Sequence, residues 1–354
     1  MGKSPFEKAL KLPQTDETWQ GTVRMMRVWI TPPDRAPYRP YIIMFVDQKN
    51  DKFLGMHTLE ARPTPEQVLD TLVGVMTRPA PGAGRPRRPL RLLIDDAELA
   101  QALAPRLSEL GIQCQFYPVP LADRILHDLE VHLTGREPVP GLLRIPGVTP
   151  HIVEGIYKAA AFFYQEAPWR WISDAYPIEI RYPPDGSPRF TVVMGYGGMT
   201  YGLAAYDSMD HLRMLYSGAS LEQVQGLLSS VSLVFNPKTR ISFDDLEDIA
   251  RYGWPVAGES AYPLILRLTP QGVLTLPSRD DLFWLEAALL AVPRFVRDYM
   301  LANRGEPRPA RVTLTVRTQG GPTDIYLQYS ASDYTSFPDL SWILNPPRRP
   351  RKKR

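Results

Sequence analysis

Residues 90–117 read LRLLIDDAELAQALAPRLSELGIQCQFY and indicate the fold class of the first half of the chain. A short apolar run ends at Ile94, two aspartates follow, and leucines then recur every four residues, which is typical of an amphipathic helix. Gly111 ends that helix, and Gln113–Tyr117 predicts the next strand. This order predicts two parallel strands joined by a right-handed helical crossover.

The flanking segments extend this pattern to a whole domain. Gln20–Thr31 and Tyr41–Val46 predict strands, and Phe53–Leu59 predicts the hairpin partner of the second one. A helix begins after Thr64, and a third helix covers about Leu121–Leu133. The first domain is therefore expected to be α/β, with a mixed sheet covered by helices.

The second half is expected to be α+β, with an antiparallel sheet. Short strands and glycine turns follow a helix at about Ile152–Gln165, and a long helix at about Arg279–Asn303 precedes a final hairpin. The predicted organisation is an N-terminal segment 1–19, an α/β domain 20–134, a Pro/Gly-rich linker 135–149, an α+β domain 150–335 and a flexible basic tail 336–354.

Composition narrows the class of protein. The 354 residues are 44% apolar and 22% charged, and no apolar run approaches the roughly 18 residues that cross a bilayer. The N-terminus lacks the apolar region of a secretory signal. Cys114 is the single cysteine, which excludes an internal disulfide and a thiolate zinc cluster. We therefore expect a cytoplasmic protein with no membrane partner.

The C-terminal tail reverses the sign of the net charge. The formal charge is +3, and removing six positive charges from the last seven residues leaves −3. These candidate nucleic-acid contacts are Arg348, Arg349, Arg351, Lys352, Lys353 and Arg354. Such a block binds phosphates in some proteins and only keeps the chain soluble in others, and both interpretations stay open.

Acidic residues follow the predicted buried strands. Asp47 ends one strand, Asp95 and Asp96 end another, and Glu130 lies in the helix after the next strand. If the two strands are parallel neighbours, Asp47 and Asp95 leave the sheet at the same edge, near Glu130. This layout resembles the ribonuclease H-like fold, in which a carboxylate triad implies two divalent metals, Mg²⁺ or Mn²⁺, and phosphodiester chemistry. Turn and helix-cap roles explain the same aspartates without a metal.

The third helix adds two candidate ligands. Asp123, His127 and Glu130 share one face of this helix by three- and four-residue spacing, which suits a metal or acid–base site. A solvated polar face is the alternative. The candidate catalytic residues are Asp47, Asp95 and Glu130, and the candidate metal ligands are Asp47, Asp95, Asp96, Asp123, His127 and Glu130.

Aromatic residues of the second domain form another candidate surface. Trp169, Trp171, Tyr196 and Tyr201 alternate with arginines and are candidates for binding a protein partner or stacking bases. Packing in the core is the alternative. The run Met194–Gly202 predicts a hairpin turn, because a dinucleotide loop requires a helix to begin there.

The motifs also carry a family resemblance. LLIDD at 92–96, LGI at 110–112 and PLAD at 120–123 resemble an uncharacterised bacterial family, the domain of unknown function 6930. APWRW at 167–171 and GWPV at 253–256 resemble a second uncharacterised module, which in some proteins precedes a cysteine-rich metal-binding tail. This chain has a basic tail there instead. The resemblance implies no activity.

These observations favour an uncharacterised cytosolic bacterial protein that acts as a non-catalytic binding or regulatory module, and they specify no enzymatic activity. One alternative is a metal-dependent nucleic-acid-processing protein with a ribonuclease H-like domain. The other is an interaction protein whose aromatic second domain binds a protein or peptide. No cofactor is predicted, except Mg²⁺ or Mn²⁺ under the first alternative.

Overall fold

The protein forms two compact units, Met1–Pro138 and Val139–Arg354. The computed structural model describes residues 4–216, 228–301 and 306–330. The first unit has a mixed sheet with helices, and the second has an antiparallel sheet with helices, which confirms the predicted fold class. None of the described helices is both long and apolar enough to span a membrane.

The first unit is built on a five-stranded sheet. Its strands are β1 (Gln14–Met25), β2 (Tyr41–Asp47), β3 (Lys52–Leu59), β4 (Arg88–Ile94) and β5 (Gln113–Phe116). Their order across the sheet is β3-β2-β1-β4-β5. β1, β2 and β3 pair antiparallel, whereas β1, β4 and β5 run parallel. β3 therefore lies at one edge of the sheet.

Four helices accompany this sheet: α1 (Pro5–Leu10), α2 (Pro65–Thr77), α3 (Ala97–Glu109) and α4 (Pro120–Thr134). Two of them begin at the predicted caps. The Thr64 hydroxyl accepts a hydrogen bond from the Gln67 N–H at 3.3 Å, and the Asp96 carboxylate accepts one from the Leu99 N–H at 3.0 Å. Each cap satisfies an N–H that has no partner inside its helix.

The sheet separates two apolar clusters. Ile43 and Phe45 of β2 pack with α1, α2 and α3, whereas Ile42, Met44 and Val46 pack with α4. Alternate residues of a strand point to opposite faces, so a continuous apolar run is buried on both sides. The same alternation decides which charged residues at the strand ends are able to meet.

The first strand differs from the prediction. The sequence pattern predicts a strand over 20–31, whereas β1 begins at Gln14 and ends at Met25, because Met25 already pairs with Tyr41 at the start of β2. The predicted N-terminal segment 1–19 therefore contributes α1 and half of β1 to the first unit. The polar run Gln14–Thr18 concealed this strand, because it lacks the usual apolar alternation.

The second unit contains an eight-stranded antiparallel sheet. Its strands are β6 (Ile178–Arg181), β7 (Pro188–Met194), β8 (Gly202–Tyr206), β9 (Ser230–Asn236), β10 (Tyr262–Leu268), β11 (Leu274–Thr275), β12 (Ala310–Thr318) and β13 (Gly321–Tyr329). Their order is β11-β10-β9-β8-β7-β6-β13-β12. The final hairpin thus lies beside β6.

Helices pack on both faces of this sheet: α5 (Pro150–Glu166), α6 (Met209–Tyr216), α7 (Phe243–Tyr252) and α8 (Arg279–Phe295). α5 and α8 contribute Tyr157, Phe163 and Phe295 to the main core. On the opposite face, α6 packs Leu212 against Val192 of β7. α8 continues as one turn of π-helix over Val296–Met300.

Part of the predicted linker 135–149 packs into the second unit. Leu142 is buried in the main core, and its N–H donates to Asp245 Oδ1 at 2.8 Å. Ser242 caps α7 and donates from its hydroxyl to the other Asp245 oxygen at 2.9 Å. The predicted tail 336–354, with all six candidate nucleic-acid contacts, lies outside the described residues.

Candidate functional site

The polar residues beside the carboxyl end of β4 form an ion-pair cluster, the strand-end cluster, made of Thr22, Arg24, Asp95 and Asp123. β1 and β4 are parallel neighbours, so Asp95 lies beside the last part of β1. Asp95 Oδ2 accepts from Thr22 Oγ1 at 3.3 Å and from Arg24 Nε at 3.0 Å, and the Arg24 Nη2 group contacts it as well. Arg24 Nη2 also lies 2.9 Å from Asp123 Oδ1 on α4.

This cluster contains its own cation. A guanidinium stays protonated throughout the accessible pH range, and here one guanidinium joins a carboxylate after β4 to a carboxylate on α4. A divalent metal would have to displace Arg24 from both carboxylates. The arrangement therefore supports a structural ion pair between strand and helix more than a metal centre.

The neighbouring Asp96 has a separate role. One carboxylate oxygen caps α3, and the other accepts from Arg62 Nη2 at 2.8 Å. Both oxygens of Asp96 are thus used by the chain itself, as the helix-cap interpretation expects.

Asp47 is fully buried and lies inside a turn. Its Oδ1 accepts from the Lys49 N–H at 3.0 Å, and its Oδ2 accepts from Asn50 Nδ2 at 2.6 Å. Arg87 Nη2 lies 3.3 Å from the same Oδ2 and supplies a counter-charge. These contacts close the β2–β3 turn and balance the buried charge.

The expected convergence of Asp47 with Asp95 is wrong. Asp47 is opposite Trp19 in the β1–β2 register, and Trp19 packs on the α2–α3 side of the sheet. Asp95 alternates with Leu93, which packs on the α4 side. The two carboxylates therefore leave the sheet on opposite faces. In addition, β2 is antiparallel to β1 and is not a neighbour of β4, so β2 and β4 are not the parallel neighbours that the prediction required.

The candidate residues of α4 have three different partners. Asp123 pairs with Arg24, and the exposed His127 lies 3.3 Å from Glu137. Glu130 is buried and its Oε1 accepts from the Arg27 N–H at 2.7 Å. Asp123, His127 and Glu130 are all on α4 as predicted, but each contacts a different part of the chain. Over residues 4–216, 228–301 and 306–330, no three His, Cys, Asp or Glu side chains are placed to hold a metal ion.

Trp169 belongs to the core of the second unit, and the partly buried Tyr201 packs against that core. The Trp169 ring is buried and lies 5.7 Å from Phe163, 5.6 Å from Tyr164, 5.2 Å from Tyr201 and 6.0 Å from Phe235, measured between ring centroids. As a partner-binding residue Trp169 is a wrong prediction, because aromatic packing buries its contact surface.

The two other predicted aromatic residues remain exposed. Tyr196 is 62% exposed and lies in the β7–β8 turn, and Trp171 is 38% exposed just after the Pro168–Arg170 helical turn. Met199, in the same β7–β8 turn, is 92% exposed. We call Tyr196 and Met199 the hairpin tip, and Trp171 is a further exposed aromatic residue of the second unit. Sequence reasoning missed Met199, although its position between turn glycines is a signal of exposure.

A partly buried ion-pair network in the second unit was also not predicted from the sequence. Arg189 and Arg267 donate to the same Asp281 oxygen at 2.7 and 2.8 Å, and Arg267 also donates to Asp207 at 2.9 Å. The Arg189 guanidinium lies 5.0 Å from the centroid of the Trp284 ring. Two arginines and two aspartates balance in charge, so the network requires no further ion.

Asp281 illustrates how this network holds a charge. Burial alone raises the pKa of its carboxyl, but hydrogen bonds from Ser278 and the charges of Arg189 and Arg267 outweigh burial and hold the pKa below its usual value. The network joins β7, β10 and the start of α8. Its residues come from distant strands, so no local sequence signal identifies it.

Comparison with known families agrees with the two-module organisation. Residues 6–130 match a domain of unknown function (DUF6930), and residues 154–307 match a second domain of unknown function (DUF7309). No curated protein is significantly similar to the chain. The chain thus matches an uncharacterised two-module family, and neither family description names an activity.

Proposed function

We propose that this protein is a non-catalytic cytoplasmic binding protein and that the hairpin tip of its second unit binds a protein partner. The observation that carries the proposal is the exposure of Trp171, Tyr196 and Met199 beside an aromatic core. Aromatic residues and methionine are enriched in protein interfaces, because they bury a large apolar area on binding. We therefore assign these exposed side chains to partner binding.

The tip rests on a rigid base. Gly195 has φ of +131°, and a Cβ at this position would lie 2.6 Å from the Tyr201 ring and 2.9 Å from the Trp169 ring. Glycine is therefore required where the turn meets the core. Such close packing fixes the backbone where the turn begins, so that less backbone entropy is lost on binding.

The positive charge of Arg170 favours an acidic partner. Arg170 immediately precedes Trp171, is exposed, and its side chain forms no hydrogen bond or ion pair with any part of the chain that the structure describes. A partner segment with apolar and acidic side chains would complement this surface.

The first unit supports the non-catalytic part of the proposal. Asp95 and Asp123 are already paired with Arg24, and Asp47 lies on the opposite face of the sheet. The carboxylates required by the nuclease alternative therefore do not share a site.

The test compares protein capture by three forms of the full chain. Wild type, Tyr196→Ala/Met199→Ser and Leu274→Ala are immobilised and exposed to lysate, and bound proteins are quantified by mass spectrometry. Leu274 is the control, because it is an equally exposed apolar residue on β11. We expect a partner that is retained by wild type and Leu274→Ala and reduced at least about tenfold by the tip variant, as loss of an interface anchor predicts.

A second assay measures single-stranded DNA and RNA binding by fluorescence anisotropy. Equal protein capture by all three forms contradicts the proposal. Tip-dependent retention of an oligonucleotide, with no tip-dependent protein, would assign the surface to base stacking instead.

A further inference from the structure

The first unit has an open groove between edge strand β3 and helix α2. We propose that this groove binds an extended protein segment that pairs with β3 and carries a basic and an acidic residue four positions apart. This site lies in the first unit and shares no residue with the hairpin tip.

The groove has a volume of about 570 Å³ and is lined by both elements. β3 contributes Met56 and His57, both exposed, α2 contributes Asp70 and Gly74, and Arg78 follows directly after α2. It therefore has a strand along one wall and a helix face along the other, which is the shape that an added strand occupies in β-augmentation.

The position of β3 supplies the main-chain contacts. β3 pairs with β2 on one side and is the edge strand of the five-stranded sheet on the other. An edge strand presents N–H and C=O groups that are available to another chain. The Ala80 N–H donates to the Leu54 carbonyl at 2.8 Å, so the chain after α2 closes the edge beside Leu54. Met56 and His57 lie beyond that closure.

Gly74 keeps the groove open. It lies inside α2, where glycine is the least favourable residue after proline. A Cβ built on Gly74 would have no atom within 4 Å, so packing does not require glycine. Gly55, in the opposite wall, is different: a Cβ there would lie 2.8 Å from Val75 Cγ2. The absence of a side chain at Gly74 therefore keeps the groove open and is not required for packing of the core.

Charges on α2 define the ligand chemistry. Asp70 lies one turn before Gly74 on α2, and Arg78, which ends the helix, donates its N–H to the Gly74 carbonyl at 2.8 Å. All three residues line the groove. Both are exposed, and neither side chain makes an ion pair or hydrogen bond within the described ranges. Eight residues of helix span about 12 Å.

In an extended segment, residues four apart lie on one face about 13 Å from each other. A basic and an acidic residue at that spacing match Asp70 and Arg78, and the residue midway between them faces Gly74. An apolar side chain at this middle position fits the open space beside Gly74.

Peptide selection tests the proposal directly. A random nonapeptide phage library is selected on the full-length protein, and the enriched peptides are measured by fluorescence anisotropy. We expect peptides with a basic and an acidic residue four positions apart, and at least about tenfold weaker binding to Gly74→Leu. Gln101→Leu is the matched control, because it places the same side chain on an exposed position of α3.

A charge exchange provides the decisive comparison. The double variant Asp70→Lys/Arg78→Glu is expected to prefer peptides in which the order of the two charges is reversed. Circular dichroism and thermal unfolding establish that each variant is folded. The tip variant Tyr196→Ala/Met199→Ser is expected to bind the peptides as wild type does, which separates this proposal from the proposed function.

Failure to enrich any peptide overturns the proposal. Equal binding to wild type and Gly74→Leu also overturns it, because the peptides would then bind elsewhere. Enriched peptides without the paired charges, or a charge exchange that leaves the preference unchanged, overturn the assignment of ligand chemistry.

Discussion

Arg24 Nη2 and Asp123 Oδ1, 2.9 Å apart, join strand β1 to helix α4. The same guanidinium also binds Asp95 after β4, so one side chain connects three elements of the first unit. Arg24 thus pairs with Asp95 and Asp123, two of the carboxylates that the predicted metal site would require.

Removing Arg24 is expected to weaken the fold slightly. In Arg24→Met, Asp95 and Asp123 lose their shared partner, and we expect the free energy of unfolding to fall by about 1 kcal/mol at low salt. The difference should shrink at roughly 1 M salt, where charges are screened over about 3 Å. Urea unfolding at both salt concentrations measures it. The control is Arg124→Met on α4, which removes an exposed ion pair with Asp51 of the β2–β3 turn. An effect no larger than that of the control contradicts the bridging role.

Asp245 is expected to make stability depend on pH. Burial raises its pKa from 3.8 to about 6, although hydrogen bonds from Leu142 and Ser242 act in the opposite direction. Between about pH 4 and 6 the folded protein keeps a proton that the unfolded chain releases, so this group lowers the free energy of unfolding as pH rises.

Asp245→Asn removes this titration. Relative to wild type, we expect the variant to gain up to about 3 kcal/mol between pH 4 and 7, because two pKa units correspond to about that free energy. Urea unfolding across this pH range provides the measurement. Parallel pH profiles for the two proteins would show that Asp245 does not titrate in this way.

Cys114 is expected to be unreactive in the folded protein. Burial raises the pKa of its thiol from 9.0 to about 11, and only the thiolate reacts. We expect alkylation by iodoacetamide at pH 8 to be about 100-fold slower in the native protein than in urea, as two pKa units imply. Mass spectrometry follows the modification. Comparable alkylation rates with and without urea would contradict a raised pKa of the Cys114 thiol in the folded protein.

Two glycines of the first unit are expected to respond oppositely to alanine. Gly74→Ala should raise the free energy of unfolding by about 1 kcal/mol, because its helical site has open space. Gly21→Ala should lower it by about 1–3 kcal/mol, because a Cβ would lie 2.7 Å from the Phe45 ring. Urea unfolding of both variants measures the pair. Destabilisation by Gly74→Ala would mean that packing, and not ligand space, explains this glycine.

Local features of the sequence were predicted well. Thr64 and Asp96 begin their helices because a cap depends on residues within one turn. The aspartate pair of the nuclease hypothesis failed for a nonlocal reason. Whether Asp47 meets Asp95 depends on the position of β1 between β2 and β4, and a polar run concealed the first half of β1.

The roles of other residues depend on distant partners. Three strands and one helix separate Arg24 from Asp95, and α3 and β5 also come before Asp123, so no spacing rule connects them. Trp169 and Trp171 are two residues apart in one aromatic motif, yet one is core and the other is surface. Composition cannot distinguish them, because their exposure depends on strands that come later in the chain.

The position of the last hairpin affects the order in which the protein is made and folded. Ile180 of β6 pairs with Leu327 of β13, so the sheet of the second unit stays incomplete until β13 has left the ribosome. The sheet of the first unit is complete once β5 has emerged. During synthesis, β6 therefore has an unpaired edge until β13 emerges, and such an edge is exposed to pairing with other chains.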